Sequence, residues 1–215
     1  MKKEKPLGMR IGESAFCAGY LIFALIAGII FASREGNFNK YCAVMTLLLG
    51  CGDAFHLIPR IIVNIRGESD NSNFWLGLGN LVSSITMTIF YILLFSVMKE
   101  LRPEVTTLPY IRPLLIVLAV IRMALCLFPQ NKWFTHEDNG NWGLYRNIPF
   151  VIMGIITVAY LLLNYHETLM AVLVIISFVC YMAVVLLAHK KPMMGMLMIP
   201  KTICYIWLIA ILLGL

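Results

Sequence analysis

Leu49-Gly50-Cys51-Gly52-Asp53-Ala54-Phe55-His56-Leu57-Ile58-Pro59-Arg60 closes an apolar run that opens near Tyr41. A run from 41 to 62 has the length, about 17–25 residues, that a helix needs to cross the hydrocarbon core of a bilayer. An Asp within such a helix costs about 2.5–3.5 kcal/mol on insertion scales. Asp53 and His56 are therefore expected to face the interior of a helix bundle and to find partners there. The stretch assigns the chain to the membrane class and marks a candidate polar site within it.

Working outward, the whole chain matches this stretch. Its 215 residues are 60% hydrophobic and 13% charged, with a mean hydropathy of +0.85, where soluble domains carry roughly 25% charged residues. Seven windows are long enough to span, near 12–32, 41–62, 73–98, 109–128, 143–164, 168–189 and 194–214, and they leave no room for a soluble domain. The expectation is an all-α, seven-transmembrane-helix bundle forming a single domain over 1–215, multi-pass, in a bacterial cytoplasmic membrane. The run from Ser14 to Ala32 exceeds a signal-peptide core of about 7–15 residues and reads as an uncleaved first span.

The net charge of +6 does not point to nucleic acid, because Lys and Arg fall between the apolar runs rather than on one face. They orient the chain instead. With the N-terminus inside, the inner side holds ten (Lys2, Lys3, Lys5, Arg10, Arg60, Arg66, Lys132, Arg146, Lys190 and Lys191) and the outer side five (Arg34, Lys40, Lys99, Arg102 and Arg112). The positive-inside rule then predicts N-in and C-out. The six cysteines lie in apolar runs without a C-x-x-C pair and read as buried thiols. A zinc site is not expected: His136 and His166 fall in loops, His189 at a helix end, and only His56 is well placed.

That topology sets the depth of each intramembrane polar residue. Asp53 and His56, then Asn80, Ser83 and Ser84, Arg122, Tyr145–Asn147, Ser177 and Tyr181, and Lys201 with Tyr205 all fall in the inner halves of their helices, with Glu13 at the inner start of the first. Asp53/His56, Asn80/Ser83/Ser84 and Lys201/Tyr205 are spaced three or four residues apart, so each set shares one helix face. A cavity opening toward the inner leaflet follows. Taken singly, the hydroxyls and amides are also ordinary interhelical glue, worth about 0.6 kcal/mol each. Arg60, Arg146 and Lys201 are also placed to snorkel to the head groups, and Asp53 to serve as counter-ion to Lys201 or Arg122. As a set, one central carboxylate faces Arg122, Lys201 and His56. Surplus positive charge in a low-dielectric cavity calls for an anion, and Arg suits phosphate oxygens. The expected ligand is an amphiphile with an anionic head, of the lysophospholipid kind.

At Gly52-Asp53-Ala54-Phe55-His56-Leu57-Ile58-Pro59 the chain resembles the YhhN, lysoplasmalogenase-like family of integral membrane proteins, with its Gly-Asp-Ala-x-x-Leu-x-Pro pattern. Tyr145-Arg146-Asn147-Ile148-Pro149-Phe150 and Met198-Ile199-Pro200-Lys201-Thr202-Ile203-Cys204-Tyr205 resemble two later helices of that family more loosely. Three features depart from it: the family has eight spans, a Lys-Pro pair opening the helix before the Gly-Asp helix, and a late Ser-Asp pair where this chain has Ser177-Phe178. The resemblance implies a lipid hydrolase that cleaves the vinyl-ether bond of a lysoplasmalogen. In that implied chemistry Asp53 is the acid, His56 or Glu13 the base, Arg122 and Lys201 hold the phosphate, and Asn80, Ser84, Tyr145 and Tyr205 orient water or glycerol. No cofactor or metal is implied. Two rivals are a non-enzymatic seven-helix lipid or small-molecule sensor and a small transporter with Asp53–His56 as a proton relay.

Overall fold

The computed structural model describes residues 6–67, 69, 71–135, 141–187 and 192–215. Among them there are only helices, turns and connections: α1 (Leu7–Ser33), α2 (Asn37–Arg66), α3 (Ser72–Leu101), α4 (Ile111–Leu127), a short α5 (Trp142–Tyr145), α6 (Ile148–Leu163), α7 (Thr168–Leu187) and α8 (Met198–Leu213). Lys2, Lys3, Lys5, Lys190 and Lys191, used to orient the chain, lie outside the described residues, as do His136 and His189.

Six segments are long and apolar enough to cross a membrane: α1, α2, α3, the α5–α6 unit over Trp142–Leu163, α7 and the segment Met194–Leu213. These are the helices of a multi-pass membrane protein. The fourth window is the exception. Expected over 109–128, α4 has 17 residues, about 26 Å at the α-helical rise, against a hydrocarbon core of about 30 Å. Its end has a local cause: Pro129 follows Phe128, which is extended at φ −65° and ψ 136°, the conformation a following proline imposes.

Two further windows differ from expectation, the first because of a proline. The fifth window is not one helix, because Pro149 has no N–H for the carbonyl of Tyr145 and its ring crowds that carbonyl. The helix therefore stops at Tyr145 and restarts at Ile148, leaving Arg146 and Asn147 at the break. The last window begins as a 3₁₀ turn, Pro192–Leu197, and becomes α-helical at Met198, with Pro200 in the first turn, where its missing N–H costs nothing.

Consecutive long helices pack side by side around a ring, α1 on α2, α2 on α3, α3 on α4, α4 on α6, α6 on α7 and α7 on α8, and α8 returns to α1. The closure is tied at both ends. Arg10 Nε donates to the Asn64 carbonyl at 2.6 Å where α1 starts, and Arg34 Nη1 donates to the Leu213 carbonyl at 3.0 Å at the opposite end. At the end where α1 starts, α2, α4 and α7 finish and α3, α6 and α8 begin.

Along the bundle the interior changes character. Toward the far end it is apolar and closely packed, with Phe31, Leu94, Met98, Leu115, Leu161 and Leu212 fully buried. Toward the α1-start end the buried residues include the polar and charged Glu13, Asp53, Arg122, Arg146, Asn147, Ser177 and Lys201. The outside is the reverse: Ile22, Ile29, Val117, Val120, Ile155 and Val179 are exposed. Apolar outward and polar inward is the arrangement that bilayer solvation favours.

Candidate functional site

The site is built on the crossing of α2 and α3. Pro59 has no N–H to offer the carbonyl of Phe55, one turn back. Gly79 of α3 lies against that carbonyl and the backbone of His56, where a Cβ would collide with main chain. The backbones thus meet closely, as small residues permit between membrane helices, and Asp53 comes within reach of Ser83. Ser83 Oγ donates to Asp53 Oδ1 at 2.9 Å, and Tyr20 OH of α1 donates to Asp53 Oδ2 at 2.8 Å. Both oxygens of the carboxylate are held by hydroxyl donors, so three helices are tied at one buried point. Asp53 makes no ion pair with Lys201 or Arg122 among the described residues, contrary to the counter-ion expectation. Tyr20 was not anticipated, although it continues the buried stripe Glu13, Cys17, Tyr20, Ala24 along α1 at helical spacing.

Beside this point lies a cavity of about 340 Å³ lined by α2 (His56, Arg60), α3 (Asn80, Ser83, Ser84), Arg122 of α4, Arg146, Phe150 of α6, Tyr181 of α7 and Lys201 of α8. Its volume falls within the ligand-pocket range of about 300–1,000 Å³. Asn80 is exposed and marks where the cavity opens. Ser84 lines it too, with its hydroxyl donating to the Asn80 carbonyl at 2.7 Å.

Arg122 is 1% exposed. Its Nη2 donates to Asn147 Oδ1 at 3.3 Å and to Tyr181 OH at 3.4 Å, and its guanidinium lies 3.4 Å from the Phe150 ring centroid. Nε and Nη1 have no hydrogen-bond partner. Asn147 is itself fixed, donating to the Gly143 carbonyl at 2.7 Å and accepting from Tyr181 OH at 2.9 Å.

Arg146 is 8% exposed, which corrects the expectation that it snorkels. The cause is the loop after α4. Asn131 Nδ2 donates to the carbonyls of Leu125 and Phe128 at 2.7 and 2.9 Å, and Trp133 Nε1 to that of Cys126 at 2.8 Å, so these side chains cap the orphan carbonyls of α4. Gly77 of α3 admits the Trp133 carbonyl where a Cβ would collide. Folded back in this way, the loop presents Asn131 Oδ1 to Arg146 Nη1 at 2.8 Å and the Trp133 ring at 4.1 Å from the guanidinium. Arg146 Nε has no partner.

Lys201 is 4% exposed, with its ammonium 5.4 Å from the ring centroids of both Tyr181 and Tyr205. It does not snorkel either. Arg60 forms an ion pair with Glu13, and this pair also lines a gap of about 20 Å³ between α1, α2 and α8, room for about one water. Glu13 thus sits with Arg60 rather than on the cavity wall, and Arg60 is anchored rather than snorkelling. His56 lines the cavity, and its Nδ1 is buried without a hydrogen-bond partner. Among the described residues, no carboxylate lies within ion-pair distance of Arg122, Arg146 or Lys201.

Two of the expected residues stand apart. Tyr145 is 47% exposed and packs edge-on against Trp142, outside the cavity. The Tyr205 hydroxyl accepts from Ser177 Oγ at 2.7 Å and lies 3.3 Å from the Tyr91 hydroxyl, in a buried cluster off the cavity wall. Comparisons with protein-family models, with curated proteins and with solved structures find no match for this chain.

Proposed function

We propose that this chain is a membrane-embedded protein whose cavity holds the anionic, phosphate-like head of a single-chain amphiphile. One observation carries the reading: Arg122, Arg146 and Lys201 are buried around one cavity with no carboxylate paired to them among the described residues. Burying a cation without a counter-charge costs several kcal/mol, and an anionic ligand offsets that cost while using the unpartnered N–H groups of Arg122 and Arg146. The N-in orientation directs the cavity to the inner leaflet. The α4 helix, buried on one side and apolar on the other, serves as a short seventh member of the bundle. A bacterial cytoplasmic membrane is the proposed location. The test is thermal unfolding of lipid-depleted protein with dodecyl phosphate and with dodecanol. Stabilisation by the phosphate alone supports the reading, and equal effects refute it.

A hydrolase of the lysoplasmalogenase-like kind is the enzymatic form of this proposal. What favours it is His56, which faces the cavity with an unpartnered ring nitrogen one turn from Asp53. Both oxygens of Asp53 are engaged by the Tyr20 and Ser83 hydroxyls, so in this form Asp53 organises the site and His56 handles the proton. Aldehyde release from a lysoplasmalogen by the parent, lost in His56→Gln, supports it; no release by folded protein sinks it. The transporter reading is disfavoured because, among the described residues, the interior beyond Tyr91, Tyr205 and Ser177 is mainly apolar, and the buried hydroxyls of Ser96 and Thr157 there donate to carbonyls of their own helices.

A further inference from the structure

The cavity is informative about the head group it takes, given the proposed binding of an anionic amphiphile, on which this inference rests. We infer that the cavity selects a phosphomonoester head, with two negative charges and a free terminal phosphate, over a zwitterionic phosphocholine or phosphoethanolamine head, so that in the enzymatic form of the reading a 1-alkenylglycerol phosphate is preferred to a choline or ethanolamine lysoplasmalogen. Three observations lead there.

The cations outnumber any available anion. Arg122, Arg146 and Lys201 are each more than nine-tenths buried and face the cavity together. A dianion neutralises more of this charge than a phosphodiester does, and in a low-dielectric site each unit charge weighs heavily.

The carboxylates that would greet a cationic head are already engaged. Both oxygens of Asp53 accept hydroxyl hydrogen bonds from Tyr20 and Ser83, and Glu13 is paired with Arg60. Neither carboxylate is on the cavity wall.

The aromatic faces that would seat a quaternary ammonium are also covered, by the protein's own cations. Arg122 lies 3.4 Å from the Phe150 centroid, Arg146 4.1 Å from Trp133, and Lys201 5.4 Å from Tyr181. An aromatic cage for choline needs free faces; each of these rings already has a cation of the protein at one face, where a bound ammonium would meet like charge.

The test is a titration of lipid-depleted protein with four probes: inorganic phosphate, glycerol 3-phosphate, 1-acylglycerol 3-phosphate, and lysophosphatidylcholine of the same acyl chain. Each is repeated with Arg122→Met, and with Arg146→Gln as a second variant should the first not fold. The expected result is that the acylated phosphomonoester binds at least tenfold more tightly than its phosphocholine counterpart, and that the variants erase this preference. Equal or reversed affinities, with both lipids weakened by the variants, would overturn the head-group selectivity while leaving the cavity as the binding place. Affinities that no variant alters would instead overturn the cavity reading itself. Glycerol 3-phosphate binding as tightly as the acylated probe would support the dianion preference and assign the ligand to the soluble pool.

Discussion

Replacing Arg122 by Met should make the ligand-free protein more stable and the ligand less effective. Arg122 is 1% exposed, and what holds it is modest: two hydrogen bonds of 3.3 and 3.4 Å from one nitrogen and the face of Phe150. The face contributes about 2 kcal/mol when desolvated, whereas burying a cation without a paired carboxylate costs several kcal/mol. The Tyr181–Asn147 hydrogen bond at 2.9 Å survives the change, so no acceptor is orphaned. The net expectation is a gain of roughly 1–3 kcal/mol, as when other buried ionic groups give way to apolar residues of similar volume. Ligand binding moves the other way. Losing a charge-assisted contact of about 2–3 kcal/mol raises Kd by a factor of roughly 30–150. At 100 times the parent Kd, the parent gains about 2.7 kcal/mol from ligand. The variant should gain less than about 0.9 kcal/mol under the same conditions. Equilibrium unfolding of lipid-depleted protein in mild detergent, with and without a single-chain alkyl phosphate, reads both quantities. A variant destabilised without ligand, with an unchanged ligand increment, would refute the reasoning and make Arg122 a structural tie.

Gly79→Ala drives a Cβ into the main chain of Phe55 and His56, which no rotamer change relieves, and should cost about 3 kcal/mol, the upper end of the usual overpacking penalty; an unchanged unfolding midpoint would contradict the crossing. Asp53→Asn puts an amide donor among hydroxyl donors and should cost about 1–3 kcal/mol, and a cycle with Tyr20→Phe should show the two changes to be non-additive, as partners in one hydrogen bond are. The N-in orientation predicts that, in right-side-out vesicles, an N-terminal tag resists added protease while a C-terminal tag is cut; the reverse pattern would invert the bundle and move the cavity to the outer leaflet.

Much of this architecture is legible in the chain because membrane helices announce themselves by length and hydropathy. The spacing of polar residues also placed His56, Asn80, Ser84, Arg122 and Lys201, which line one cavity. Hydropathy windows hide features that single residues decide. Pro149 breaks the fifth window at Arg146 by a rule acting four residues back, and the apolar run smooths over it. Burial of Arg146 depends on a loop, 129–135, whose capping side chains act only after α4 ends where it does. A surface position was the natural expectation for an Arg beside a turn. The role of Tyr20 follows from its hydrogen bond to Asp53 across 33 residues of sequence, a pairing invisible until the helices are packed.

The central claim is that buried cations around one cavity hold an anionic amphiphile. It is tested most directly by native mass spectrometry of the purified protein, parent beside Arg122→Met and Lys201→Met. The account predicts a co-purified phosphate-headed lipid on the parent and its loss from both variants. The same lipid retained at the same occupancy by the variants would contradict it.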